Sequence, residues 1–231
     1  MTGLSYGKQI KALSRIGKAI TSYVYIDETL NFIVSITAEV MNSRICSLFL
    51  VNEQNELVIR AVTPANEAYA KKKPIKIGEG IAGKVAKENK PIIISDVKNE
   101  PVYVYREIAK KEGLCSLLSV PLSVKGNVLG VLNCYTGAEH EFSEEETTLL
   151  LTIANQAAVV IENAQLLLKT RQIQEELEAR KIIERAKGIL MKAQGLSEEQ
   201  AFKRIQKKSM DMRKSMKEIA EAIILTSEIS K

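Results

Sequence analysis

The feature that most restricts the fold of this chain is a helix-forming stretch, Glu144 to Gln194, that contains no proline. Ser143 precedes it as a predicted N-cap, and three glutamates at 144–146 fill the first turn, where the helix dipole favours acids. Gly188 is its only glycine. At a rise of about 1.5 Å per residue, a continuous helix of this length would extend roughly 75 Å. The stretch therefore predicts one long helix in the second half of the chain.

Apolar residues along the first part of this helix follow the 4,3 spacing of a coiled-coil seam: Ile153, Ala157, Val160, Ala164 and Leu167. Packing of the helix on its own sheet explains the first half of the pattern equally well. The second half is flanked by polar residues and has no obvious sheet to cover it, so we favour a parallel homodimer through the long helix. Gly188 suggests close approach by another helix or by a ligand backbone.

The sequence before this helix predicts an α+β domain. Apolar spacing indicates a helix within 4–21 and a second helix after Asp27, which we interpret as its N-cap. Further helices are predicted at 78–88 and 101–112, and strands at 45–51, 57–62, 91–95, 115–124 and 128–136. The last two strands are apolar on both faces, which is typical of a sheet that is covered on both sides. We therefore expect an antiparallel sheet covered by helices.

The charge of the chain is concentrated at one end. Residues 1–168 contain 18 Lys and Arg and 18 Asp and Glu, whereas residues 169–231 contain 15 and 10. Between 180 and 217 there are 12 cations and 4 acids. Capping signals at Ser197 and Ser215 predict that this tail closes as a small three-helix bundle. We expect two domains, 1–168 and 169–231, and an anionic partner for the second.

Several functional classes are excluded by composition. No apolar run approaches the roughly 20 residues that span a bilayer, and the N-terminus lacks the pattern of a signal peptide. Three widely spaced cysteines and a single histidine offer neither a disulfide framework nor a zinc site, and we predict no metal site. The sequence Gly78-x-Gly80-x-x-Gly83 is interpreted as a tight turn into a helix and not as a dinucleotide site. We expect a cytoplasmic protein with no catalytic residues.

Three runs in the tail resemble the ANTAR domain of bacterial antitermination regulators: A-K-G-I-L-M at 186–191, G-L-S-E-E-Q-A-F at 195–202 and S-M-D-M-R-K-S-M at 209–216. Residues 10–166 resemble a GAF domain in four runs: I-G-E-G-I-A-G-K-V at 77–85, S-V-P-L at 119–122, G-N-V-L-G-V-L-N at 126–133 and H-E-F-S-E-E-E at 140–146. The resemblance implies a GAF-like sheet, a long connecting helix and a three-helix bundle that binds stem-loops in nascent leader RNA and so permits downstream transcription.

Carried over by position, Lys187 in the A-K-G run and Arg213 in the S-M-D-M-R run are the strongest RNA-contact candidates. Charge adds five supporting candidates: Arg185, Arg204, Lys207, Lys208 and Lys214. One alternative is a regulator that uses the three tail helices to bind duplex DNA. A less favoured alternative is a GAF-fold thiol redox enzyme, for which the intervals of 69 and 19 residues between the cysteines match no known pattern.

The resemblance to a GAF domain also implies a sensor of a small molecule, which the sequence does not identify. The N-K-F-D-E signature of cyclic-nucleotide GAF domains is absent, and no Cys-His pair suggests attachment of bilin or haem. Polar residues near the irregular segment 63–113 are candidates to line a pocket: Arg60, Tyr69, Tyr103, Tyr105, Ser119, Asn133 and Tyr135.

Overall fold

The computed structural model describes residues 26–64 and 73–229. The helix predicted within 4–21 and the pocket candidate Tyr69 lie outside the described residues. Contacts divide the chain into two compact units, Met1–Ala164 and Gln165–Lys231. Each unit is described below by itself.

The first unit is built on a six-stranded antiparallel sheet, which confirms the predicted fold. Its strands are β1 (Ile45–Val51), β2 (Glu56–Thr63), β3 (Ile75–Lys76), β4 (Ile92–Ile94), β5 (Leu117–Val124) and β6 (Asn127–Tyr135). Their order across the sheet is β3-β2-β1-β6-β5-β4. The central positions therefore belong to β1 and β6, which pair although 75 residues lie between them in sequence.

Helices and turns cover both faces of this sheet, as the apolar strands predict. One face packs against α1 (Ile26–Met41) and the beginning of the long helix, with Leu48, Leu118 and Leu132 in the shared core. The other face packs against α2 (Gly80–Glu88), α3 (Arg106–Glu112) and the turns between them. Because side chains alternate along a strand, the four inner strands β2, β1, β6 and β5 contribute to both cores, whereas the edge strands β3 and β4 contribute only to the second.

Two local predictions in this unit are wrong. Helix α1 already includes Ile26, so Asp27 lies in its first turn and is not the N-cap. The carboxylate of Asp27 instead accepts a hydrogen bond from Arg60 at 2.7 Å. The helix predicted from Pro101 begins only at Arg106, because residues 101–105 form turns that bring Tyr103 and Tyr105 over the sheet.

The long helix α4 extends from Glu144 to Gln194, as the sequence predicts. Its early residues Leu150, Ile153 and Ala157 are buried in the core of the first unit. One stretch of α4 is as long and as apolar as a membrane span. The burial of these side chains against the sheet accounts for that apolarity.

The second unit is a small three-helix bundle. It consists of the later part of α4 together with α5 (Glu198–Met212) and α6 (Met216–Ile229). Ser197 caps α5 in a full capping box with Gln200, as predicted. The buried core is thin and contains only six residues: Ala186, Leu190, Ala201, Ile205, Ile219 and Ala220.

Residues 165–178 of α4 are all exposed, and they include the apolar side chains Leu166, Leu167, Leu168, Ile173 and Leu177. The homodimer through this helix stays a prediction. A methyl group built on Gly188 would have no heavy atom within 4 Å among the described residues. No helix of the described chain therefore approaches Gly188 closely.

Candidate nucleic-acid interface and ligand cavity

Five of the seven predicted RNA contacts are exposed cations that form no ion pair with a described residue. They are Arg204, Lys207, Lys208, Arg213 and Lys214. The first three lie on α5, where Arg204 and Lys208 are one helical turn apart and share a face. A cation without a carboxylate at ion-pair distance stays available to an external phosphate, so these five side chains define the basic surface. Lys214 also lies near enough to Glu218 to contribute to the lowered pKa of that carboxyl.

Two other exposed cations of the second unit form ion pairs with nearby acids. Arg185 donates a hydrogen bond to Glu228 at 2.7 Å, and Lys203 donates one to Glu199 at 2.6 Å. Both pairs are exposed, so water and salt weaken them. Arg185 is therefore less available to an anionic partner than the five members of the basic surface.

Lys187 occupies a different environment from the other candidates. Its side chain is only 7% exposed, and Nζ donates to Glu198 Oε1 at 2.7 Å and to Glu184 Oε1 at 2.9 Å. Hydrogen bonds to Glu198 and then to Glu184 raise the pKa of Lys187 above its usual value. An RNA phosphate would have to displace two carboxylates to reach this ammonium, so the geometry favours a role in joining α4 to the start of α5.

Arg213 lies at the C-terminal end of α5 in the left-handed backbone region, with φ of 53°. Its N–H donates to the carbonyl of Met210, and the N–H of Lys214 donates to the carbonyl of Ser209. Glycine adopts this conformation without steric strain, whereas an arginine does not. The side chain of Arg213 is exposed and carries a positive charge to the surface. The left-handed backbone makes this end of α5 less stable than it would be with glycine at the position.

A small cavity lies in the first unit between the sheet and the turns at 101–105. Tyr103, Tyr105, Asn133 and Tyr135, all predicted pocket residues, contribute to its lining. Its volume is about 20 Å³, which is enough for about one water molecule. The remaining lining is apolar or glycine, and no charged residue takes part: Phe49, Ile75, Gly80, Ile81, Ala82, Val104 and Leu117.

Three polar side chains form a row across the central strands on the cavity side of the sheet. The pairing register places Ser47 of β1 and Ser119 of β5 on either side of Asn133 of β6. All three are buried, and both Oγ atoms and Asn133 Oδ1 lack a hydrogen-bond partner among the described residues. Leaving a buried polar atom unpaired costs about 1–3 kcal/mol, so this row is a candidate binding feature.

The remaining pocket candidates are placed differently. Ser119 belongs to the polar row but does not line the cavity, and Arg60 pairs with Asp27 on α1. The hydroxyl groups of Tyr103 and Tyr135 lie 3.2 Å apart inside the cavity wall. Sequence reasoning missed Ser47, although a serine within the otherwise apolar strand Ile45–Val51 was a usable signal.

The three cysteines are free and buried. Cys46 and Cys134 are cross-strand neighbours with their Sγ atoms 3.9 Å apart, a proximity that 88 residues of sequence separation conceal. Burial and the neighbouring Cys134 thiol raise the pKa of Cys46, which disfavours the reactive thiolate. No group of metal-ligating side chains occurs in the part of the chain that the structure describes.

The chain thus consists of a covered antiparallel sheet domain followed along the sequence by a small helical bundle with a basic surface, and both regions match known domain families. Residues 25–162 match the GAF domain family, and residues 171–224 match the ANTAR domain family. The chain therefore belongs to the GAF family and carries an ANTAR domain after it, as its sequence motifs predict.

Similar proteins support this assignment region by region. The GAF domain of a phosphoenolpyruvate-protein phosphotransferase from Coxiella burnetii superposes with a TM-score of 0.64 at 26% identity, covering 71% of this chain and 98% of that one. The phosphoenolpyruvate-dependent phosphotransferase system protein of Escherichia coli (strain K12) is 26% identical over 67% of this chain but only 21% of its own length.

A 54-residue region of the chain is similar to a transcriptional regulatory protein. The transcriptional regulatory protein PdtaR of Mycobacterium tuberculosis (strain H37Rv) is 48% identical over 54 residues, which are 23% of this chain and 26% of that protein. The chain thus spans about a fifth to a quarter of the length of these two relatives.

Proposed function

We propose that this protein is a transcription antitermination regulator whose second unit binds stem-loops in nascent leader RNA. The observation that carries the proposal is the basic surface of five exposed, unpaired cations on an ANTAR domain. Phosphates attract such a surface whatever their sequence, and the loops of RNA hairpins add unstacked bases that side chains reach. The exposed leucines of residues 165–178 support a homodimer through α4. We expect this dimer to act in the cytoplasm.

The experiment is a competition between a labelled tandem-hairpin RNA and a duplex DNA of equal length, measured by fluorescence anisotropy at one stated ionic strength. We expect the full chain to prefer the hairpins. Preference for the duplex DNA would refute RNA as the partner and support the DNA-binding alternative.

The chain offers a matched pair of variants for the basic surface. Lys207→Ala removes an unpaired cation from α5, whereas Lys203→Ala removes one that Glu199 already neutralises. We expect Lys207→Ala to lower RNA affinity and to reduce the slope of log K against log salt by about one. Lys203→Ala should change both quantities much less, and equal effects of the two variants would contradict the assignment of the surface.

The first unit is proposed to sense a small molecule at the cavity beside Asn133. Support comes from the unpaired polar row, from the uncharged aromatic lining and from the GAF fold. In this conformation the cavity has room for about one water molecule, so a larger ligand requires the turns at 101–105 to move. Native mass spectrometry of freshly purified protein reports any retained molecule together with the number of subunits. A monomer without a bound molecule would count against both the sensor and the homodimer.

A further inference from the structure

The three-helix bundle has an open apolar groove that its thin core does not fill. Its volume is about 540 Å³, within the range of about 300–1,000 Å³ that is usual for small-molecule pockets. The floor consists of apolar side chains from all three helices: Ile189, Leu190, Ala193, Met212, Ile219, Ala222 and Ile223.

Three members of the basic surface line this groove. They are Arg204 and Lys208 from α5 and Lys214 from the connection to α6. The one acid in the lining is Glu218, whose carboxylate accepts hydrogen bonds from the backbone N–H and the hydroxyl of Ser215. The groove therefore combines an apolar floor with a predominantly cationic rim.

We propose that this groove receives an unpaired base of the RNA loop, while Arg204, Lys208 and Lys214 contact the phosphates beside that base. The inference rests on the proposed RNA-binding function and extends it by naming the groove that receives a loop base and the cations that contact the adjacent phosphates. A nucleotide joins a flat ring with apolar faces to an anionic phosphate, which matches this floor and this rim.

The shape of the groove favours a loop over a stem. Bases in a stem are stacked and paired, so a duplex presents phosphates and groove edges but no base that enters a protein cavity. A loop supplies bases that have already left the stack. Polar groups in the lining match the edge of such a base, because Glu218 accepts hydrogen bonds and the amide of Gln194 both donates and accepts them.

The charge of the rim also disfavours a neutral protein segment as the occupant. Three cations that lack an ion pair would be partly desolvated by an apolar helix laid across them, whereas each nucleotide brings its own negative charge. An acidic amphipathic peptide is the remaining competitor, and the experiment below distinguishes it from RNA.

The test fills the groove without changing its charge. Ala193→Leu combined with Ala222→Leu places larger side chains at two exposed positions of the floor and keeps good helix formers in α4 and α6. Ala179→Leu is the matched control on α4 outside the groove. The probes are a hairpin pool with one stem and randomised loops, and the same stem as a blunt RNA duplex.

We expect the filled variant to bind the hairpins about tenfold more weakly than the wild type, and to bind the blunt duplex equally well. Ala179→Leu should match the wild type on both probes. Unchanged hairpin affinity in a folded filled variant would overturn the inference while leaving RNA binding intact. Wild-type protein that does not prefer hairpins over the blunt duplex and duplex DNA would overturn the proposed function itself.

A second measurement on the wild type keeps the test decisive if the filled variant does not fold. Loops that carry 4-thiouridine are crosslinked to the full chain, and the attached residues are identified by mass spectrometry. Crosslinks to Met212 or Ile223 support the proposal, and crosslinks confined to residues outside the groove overturn it. A filled variant that no longer self-associates but still binds RNA would also overturn the proposal, because the groove would then be a protein–protein contact.

Discussion

Arg213→Gly is the substitution for which this structure makes its sharpest prediction, because stability and RNA affinity should move in opposite directions. Arg213 has a φ of 53° at the end of α5 and carries an exposed, unpaired guanidinium. Glycine removes the strain of a side chain in the left-handed region and removes the charge at the same time.

The stabilising effect can be estimated from backbone energetics. In the left-handed region a residue other than glycine destabilises the folded state by roughly 1–2 kcal/mol. The greater conformational freedom of glycine in the unfolded chain offsets about half of the gain from removing that strain. A net gain of about 0.5–1 kcal/mol remains, and for a unit of this size it corresponds to an increase of about 2–8 °C in melting temperature.

The effect on RNA binding follows from the charge. If Arg213 contacts a phosphate, its loss reduces the magnitude of the slope of log K against log salt by about 0.7–0.9. Anisotropy titrations of hairpin RNA over a salt series measure the slope, and thermal unfolding by circular dichroism measures the stability of the same preparations.

Two control variants separate the backbone from the charge. Arg213→Lys keeps a cation and the strain, so both quantities should stay near the wild-type values. Arg213→Ala removes the cation but keeps the strain, so affinity should fall without a gain in melting temperature. A lower melting temperature for Arg213→Gly would refute the argument from the left-handed backbone, and an unchanged salt slope in the glycine and alanine variants would refute the phosphate contact.

Three further predictions follow from contacts described above. Lys187→Met should lower the melting temperature because Glu184 and Glu198 lose their shared partner. Glu198→Gln should lower it too, although it makes the domain more positive. A Lys187→Met variant of wild-type stability would contradict the role of Lys187 in joining α4 to α5. Gly188→Ala should stabilise α4 by about 1 kcal/mol in urea unfolding, because no described residue lies within 4 Å of the added methyl group. A loss of RNA affinity or of self-association would show that another molecule packs against Gly188. Burial opposes ionisation of Glu146, but hydrogen bonds from Ser143 and His140 outweigh it and lower the pKa of Glu146 below its usual value. The charged carboxylate therefore stabilises the fold above the unfolded-state pKa, and this contribution is lost as the pH falls through the folded-state pKa. Glu146→Gln should flatten the fall in stability below about pH 5, and parallel pH curves for the two proteins would contradict that assignment.

Local signals in the sequence predicted a large part of the fold. The glutamates after Ser143 and the glycine at 195 fixed both ends of α4, and Ser197 with Gln200 marked the start of α5. Each signal involves residues only a few positions apart, so their physical effect does not depend on the rest of the chain. The exposure of Arg204, Lys207 and Lys208 on one helix could be predicted for the same reason.

The environment of Lys187 could not be predicted in this way. Glu184 lies one turn away on the same helix, but Glu198 approaches only because a turn at Gly195 brings the start of α5 back to α4. The same limit applies to the cavity, since Ser47, Asn133 and Ser119 become neighbours only through the strand order β1-β6-β5. The sequence predicted strands, but several sheet orders are compatible with the same strands.

The row of Ser47, Asn133 and Ser119 leaves three buried polar atoms without a hydrogen-bond partner among the described residues, which makes the domain less stable than its packing would permit. Any compound that supplies partners to those oxygens binds only the folded state, and at a hundredfold excess over its Kd it would stabilise the domain by about 2.7 kcal/mol. Thermal shift assays across a metabolite collection would therefore detect the effector before anything is known of the signal. The variant Asn133→Ala, which removes the central acceptor, supplies the counter-screen that distinguishes binding at this row from binding elsewhere.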